Sequence, residues 1–185
     1  MMLGLKRVSQ SLAFAATLAL LAGAEAVSAS AINRDASDAL AKFYQEVPAA
    51  RKLAKQAKAV LICPSVVKGG LIVGGQYGDG VLRKRGKTVG YYNTTALSYG
   101  LQAGAQSFGY VLFFMSNDSL KYLDTSDGWE IGVGPSVVVL DEGMAKSLTT
   151  TTARDDVYAF IFSQTGLMAG LGLQGSKITK IQQDR

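Results

Sequence analysis

Between Ala59 and Gly80 the chain reads AVLICPSVVKGGLIVGGQYGDG, which sets six of its 21 glycines, a proline and a lysine inside apolar runs. Glycine in a strand interior marks curvature, a bulge or the close approach of another backbone, so strands of this kind build a bent sheet and not a flat one. Ala59 to Ile62 reads as a short buried strand, broken by Pro64-Ser65, and Leu71 to Tyr77 as a second. Gly78-Asp79-Gly80 has the composition of a hairpin turn, Val81 to Arg85 returns, and Gly86-Lys87 turns again. The glycines precede no helix whose N-terminus could hold a phosphate, so the stretch reads as a hinge in the architecture, with Lys68 as its one candidate ligand contact.

From Ala96 to Gln106 the alternation is strict: Leu97, Tyr99, Leu101, Ala103 and Ala105 share one side, and Ser98, Gly100, Gln102, Gly104 and Gln106 the other. The pattern predicts one strand with an apolar face and a face of small or amide residues. Gly166 to Leu173 alternates similarly. Between them come the apolar run Tyr110 to Met115, a short helix over Asp118 to Leu123 that Asn117 could cap, the strand Pro135 to Leu140 and the apolar run Val157 to Phe162. Helices gathered early and short strands separated by Gly, Asp and Asn turns predict an α+β fold: N-terminal helices on a strongly curved, mainly antiparallel, glycine-rich sheet, barrel-like or sandwich-like.

The helices carry the first of two basic clusters. Asp35 to Val47 has Leu40, Phe43, Tyr44 and Val47 at helical spacing, with Asp35 or Ser37 available as N-cap. Pro48 ends it and suits the first turn of a second helix running to about Lys58. There Arg51, Lys55 and Lys58 fall at i, i+4 and i+7, with Lys52 beside them and Ala50, Leu53, Ala54 and Ala57 opposite. Such a face is either an ordinary solvated surface or an interfacial one presenting cations to anionic head groups. Arg83, Lys84, Arg85 and Lys87 crowd a loop tip, which guards a sheet edge or extends the basic helix. Ile32 to Lys87 holds eleven Lys and Arg against four Asp and Glu; Thr88 to Arg185 holds six against nine. The asymmetry favours an anionic partner for the first half.

Lys6 and Arg7, the apolar run Leu12 to Leu21 and the small residues after it have the layout of a secretory signal peptide, cleaved between residues 26 and 31. The run falls short of the ~20 apolar residues of a membrane anchor. Leu21-Ala22-Gly23-Ala24 has alanine where a bacterial lipoprotein signal has its lipid-bearing cysteine, so a soluble, unanchored periplasmic or secreted protein is expected. In that compartment an anionic phospholipid or lipopolysaccharide outranks nucleic acid as partner. Residues 33–185 suffice for a single domain. Cys63 is the sole cysteine, excludes an intramolecular disulfide and reads as a small buried apolar residue.

Catalytic chemistry is poorly provided for. The chain has no histidine, which removes Ser-His-Asp and Cys-His devices and imidazole zinc sites. Gly170-Leu171-Gly172-Leu173-Gln174-Gly175 spells a dinucleotide fingerprint, yet the ten residues after it cannot supply a crossover helix and strand. Asp141-Glu142 and Asp155-Asp156 read as turn residues. No catalytic residue, metal or cofactor is expected.

Four ordered motifs carry a family likeness: Val60 to Gly70, Tyr99 to Gln106, Ser126-Asp127-Gly128-Trp129-Glu130 and Gly166-Leu167-Met168-Ala169-Gly170. Together they resemble the SYLF domain family over about Asn33 to Ile181. The resemblance implies a non-catalytic membrane-lipid module: eukaryotic members bind phosphoinositides and actin, and bacterial relatives are mostly exported and regarded as lipid-binding. The expected contacts are Arg51, Lys52, Lys55, Lys58 and Lys68, with Arg83, Lys84, Arg85 and Lys87 as a second set. The alternative is an envelope adaptor using its glycine-rich strands and Val111 to Met115 as a protein interface.

Overall fold

The computed structural model describes residues 28–70, 73–99, 104–125, 127–147, 154–166, 173 and 175–182. Helix α1 (Ala29–Glu46) starts six residues before the expected point. Its cap is Ser28, whose hydroxyl accepts the Ala31 amide at 3.3 Å, and not Asp35 or Ser37. Ile32, Ala36 and Phe43 form its buried stripe. Val47, ahead of Pro48, leaves the helical region with φ −127° and ψ 73°, in keeping with the steric bar on helical geometry before proline, and the helix stops. Helix α2 (Ala50–Gln56) is shorter than expected: Ala57 turns extended, and the Lys58 amide already donates to Phe114 O at 2.7 Å. Lys58 therefore leaves the helical face it was expected to share with Arg51 and Lys55.

Strand β1 (Ala59–Gly70) is continuous through Pro64-Ser65. The register slips there against both neighbours, between Ile62 and Ser65 on one side and Cys63 and Val66 on the other. The expected break is thus a bulge, one of the few places where a central strand tolerates a residue without an N–H. Strand β2 (Val73–Lys84) runs straight through Gly78-Asp79-Gly80, each residue paired on both sides of the ladder except at the bulge opposite Gly80. These glycines make no turn. A Cβ on Gly78 would stand 2.7 Å from Ser65 O, and one on Gly80 would stand 2.5 Å from Cys63 Sγ and 2.7 Å from Ile62 O. They admit the bulged backbone of β1.

The β2–β3 turn has positive φ at both central residues, Arg85 at 50° and Gly86 at 78°. That is the primed geometry matched to the twist of a hairpin. Strand β3 (Lys87–Tyr99) and strand β4 (Gly104–Phe114) divide the stretch that the alternation predicted as a single strand. They are not neighbours, since β2 and β1 lie between them. Helix α3 (Asn117–Thr125), β5 (Trp129–Glu130), β6 (Val137–Val139), α4 (Glu142–Ser147), β7 (Val157–Gly166) and β8 (Lys177–Ile181) complete the order. The predicted strand through Gly166–Leu173 lies largely outside the described residues.

The eight strands form one sheet, ordered β5-β8-β3-β2-β1-β4-β7-β6, antiparallel except for β6 beside β7. It curls into a half-barrel and buries both faces, giving the expected α+β architecture. On one face Ile62, Val81, Val111, Phe113 and Phe160 meet α1, α2 and α4. Phe43 centres that layer, 5.2 Å from the Phe160 ring and 5.4 Å from that of Phe162. On the other, Leu61, Leu82, Leu112 and Phe114 meet Leu120 and Leu123 of α3 and Trp129. Val111 to Phe114 are fully buried, so that run is core and not the exposed protein interface that the adaptor alternative assigned to Val111 to Met115.

Candidate functional site

Strand alternation decides which cations of the β2–β3 hairpin face which partner. Arg83 shares the side of Val81, and its Nη2 donates to Asn33 O at 2.9 Å and Ser37 Oγ at 2.8 Å. Asn33 also accepts from Thr88 Oγ1 and donates to Tyr91 OH, both at 2.6 Å. Arg83 therefore staples α1 to the hairpin. Lys84, the next residue, projects to the opposite side.

There the end of α2, the hairpin turn and the first turn of α3 enclose a cleft of about 570 Å³. Lys55, Lys58, Lys84 and Arg85 line it, with Asn117 and Leu120 on the α3 wall. The α3 wall is fixed by side-chain hydrogen bonds. Ser116, not Asn117, caps the helix: its hydroxyl accepts the Ser119 amide at 3.1 Å and donates to Asp156 Oδ1 at 3.1 Å. The other Asp156 oxygen accepts from the Ser136 amide and hydroxyl. Asp141 similarly accepts the Met144 amide at 2.7 Å as the cap of α4. Both carboxylates thus serve as structural acceptors.

The electrostatics are one-sided. Among the described residues no acidic side chain lines the cleft, and none of their ion pairs involves its four cations. Lys84 and Lys87 are direct cross-strand partners, a like-charge pairing that is unfavourable in a hairpin. Between them Arg85 takes a left-handed conformation that asparagine and glycine adopt far more readily. Three cations, one of them strained, in a four-residue turn are unfavourable on their own, and an anion placed beside them would relieve the repulsion.

The remaining expected contacts lie elsewhere. The Arg51 guanidinium stacks over the Tyr44 ring, 4.6 Å from its centroid. Burial pushes the Tyr44 hydroxyl pKa up, and Arg51 partly offsets this. Lys52 is exposed on α2 outside the cleft, as is Lys87 on β3. Lys68 sits far along β1, paired in register with Gln76 and Gln106, about 30 Å from the α2 end at ~3.3 Å per residue. Burial pushes the Cys63 thiol up to about 12; the neighbouring Tyr110 opposes the rise and Asp79 adds to it, so the cysteine is the inert core residue expected.

Asn117 and Leu120 had no signal marking them as cleft residues. They stand some 60 positions from α2, and only the closure of α3 over β4 brings them there.

Residues 95–184 match a family model described as Ysc84, the Las17-binding protein actin regulator. The match covers just under half of the chain and agrees with the SYLF likeness of the sequence motifs. The matched span contributes the α3 wall of the cleft, whereas its four cations lie N-terminal to it. Comparison with curated proteins returns no match.

Proposed function

We infer that the protein is a non-catalytic lipid-binding module of the bacterial cell envelope, acting in the periplasm or after secretion. The cleft between α2, the β2–β3 turn and α3 takes the anionic head group of a phospholipid or lipopolysaccharide. The observation that carries this reading is the convergence of Lys55, Lys58, Lys84 and Arg85, without ion-pair partners, on a turn whose Arg85 is conformationally strained. The SYLF family supports a lipid- or actin-binding module, and the family description names an actin regulator. Lipid is favoured here because the cleft's chemistry is that of a phosphate site. The leader-like residues 1–26 support export, and the lack of histidine supports a non-catalytic role. No helix among the described residues is long and apolar enough to cross a membrane, which suits a peripheral contact.

Each basic residue near an anionic surface contributes about 1 kcal/mol, so four give roughly 4 kcal/mol at low salt. Reversing Lys58 and Lys84 to Glu should then weaken partition onto anionic vesicles by at least ~30-fold, taking 1.4 kcal/mol per tenfold. Co-sedimentation at 50 and 300 mM salt tests this, because screening shortens to a Debye length of about 8 Å or less by physiological ionic strength. Equal sedimentation with neutral and anionic vesicles, or an unaffected double variant, would exclude the cleft as the contact.

A further inference from the structure

Between residues 26 and 31 the sequence offers more than one bond with small residues at the two positions that leader processing reads. Ala24-Glu25-Ala26 and Ala29-Ser30-Ala31 spell the same signal, and Val27-Ser28-Ala29 comes close to it. Spelling does not choose among them. Helix α1 does, because it begins at Ala29 and takes the bonds after Ala29 and Ala31 into its first turn.

That turn is built into the fold. Ser28 closes it with both of its groups: the hydroxyl accepts the Ala31 amide at 3.3 Å and the carbonyl accepts the Ile32 amide at 3.1 Å. Ala29 O accepts from Asn33 Nδ2 at 2.8 Å, and Asn33 is the residue that holds Thr88 and Tyr91 and whose carbonyl seats Arg83. Ile32 is buried against the sheet. Cutting after Ala29 would remove the cap and set an ammonium on Ser30, at the end of a helix dipole that disfavours positive charge. Cutting after Ala31 would also remove the acceptor of Asn33 and put the new ammonium on Ile32, where burying a charge is costly.

We propose that a leader peptidase hydrolyses the bond between Ala26 and Val27, so that the mature chain starts at Val27 and its second residue, Ser28, caps α1. Water adds across the peptide bond: residues 1–26 leave with a carboxylate on Ala26, and Val27 gains the amine. The proposal rests on the export reading above and adds to it the bond that is cut. A protease cleft takes its substrate as extended chain, and Ser28, with φ −63° and ψ 148°, is the last extended residue before the helix. Folding of α1 therefore withdraws the bonds from Ala29 onwards and leaves the bond after Ala26 on the N-terminal side of the cap. Processing there preserves the seat of Arg83 on α1, which fixes the β2–β3 hairpin at the cleft.

The test is expression of the full chain in a bacterium with a periplasm, with the N-terminus of the periplasmic protein read by intact mass and N-terminal sequencing. A single start at Val27 is expected. A start at any other residue of the exported protein would overturn the assignment while leaving export standing, and full-length protein retained in the cytoplasmic fraction would overturn both. Ser28→Val gives a second readout, since valine neither caps a helix nor supplies a new small residue for processing. It should keep the start at Val27 and lower Tm by roughly 2–4 °C, the effect of a lost cap in a domain of this size. An unchanged Tm would show that Ser28 does not cap the mature helix and would overturn the proposal. Ala26→Leu should leave the precursor uncut; processing after Ala31 instead would show that α1 does not protect its own bonds, and would overturn it as well.

Discussion

Replacing Gly80 by alanine puts the observed packing of β2 against the turn that its sequence suggests. In the structure the new Cβ would fall 2.5 Å from Cys63 Sγ and 2.7 Å from Ile62 O. Cys63 is fully enclosed, and Ile62 O belongs to the central ladder, so neither can yield without disturbing β1 against β4. Overpacking of this kind costs about 1–3 kcal/mol, offset by the ~0.5–1 kcal/mol that alanine gains over glycine in chain entropy. The net loss is about 1–2 kcal/mol, which for a domain of this size lowers Tm by roughly 2–8 °C. Gly75→Ala is the matched control, since its Cβ meets nothing, and should be neutral or raise Tm by one to three degrees, roughly the same entropic gain. Thermal denaturation followed by the buried Trp129 reports both. Gly80→Ala/Cys63→Ala should recover only part of the loss, because the Ile62 O contact persists. A Gly80→Ala protein as stable as Gly75→Ala would refute the account of why these glycines are present.

Alkaline stability gives an independent check of the core. Burial raises the Cys63 thiol to about 12 from an unfolded value of 9.0, and raises the hydroxyls of Tyr92 and Tyr110 above their ordinary range. The folded state thus holds protons that the unfolded chain releases. Stability is full below pH 9 and falls as pH rises from 9 towards 12, by up to ~1.4 kcal/mol per pH unit for each group. Urea denaturation at pH 8, 9, 10 and 11 should show this fall, and Cys63→Ala should flatten it between pH 9 and 10; a flat profile in the wild type contradicts the buried thiol. Arg83→Ala removes two charge-assisted hydrogen bonds to α1 and should destabilise by ~1–3 kcal/mol, yet leave partition onto anionic vesicles unchanged once folded, whereas Arg85→Ala should do the reverse. Equal binding losses for the two arginines would dissolve the distinction between staple and cleft residue.

The helices and both core stripes were legible because burial repeats with the period of the element. Phe43 and Leu53 follow 3.6-residue spacing, and the β7 run Val157 to Phe162 is apolar because both faces of the sheet are covered. The β1–β2 region misled because the residues that make a turn also make a bulge and its glycine counterpart: Pro64-Ser65 and Gly78-Asp79-Gly80 read as chain reversals but face one another inside the sheet. Alternation also failed to separate β3 from β4, since a side-chain period of two continues on either side of a strand end. Among the nine candidate cations, helix length and strand parity decided the outcome. The end of α2 two residues early, at Gln56, freed Lys58 for the cleft, and one residue of offset sent Arg83 to α1 and Lys84 to the cleft.

A titration of the isotopically labelled protein with short-chain phosphatidylglycerol, followed by amide chemical shifts, tests the central claim most directly. The cleft reading predicts saturable shifts concentrated at Lys55, Lys58, Lys84, Arg85 and Asn117, reduced several-fold in the Lys58→Glu/Lys84→Glu variant. Shifts that avoid these five residues, or that persist unchanged in the variant, would contradict it.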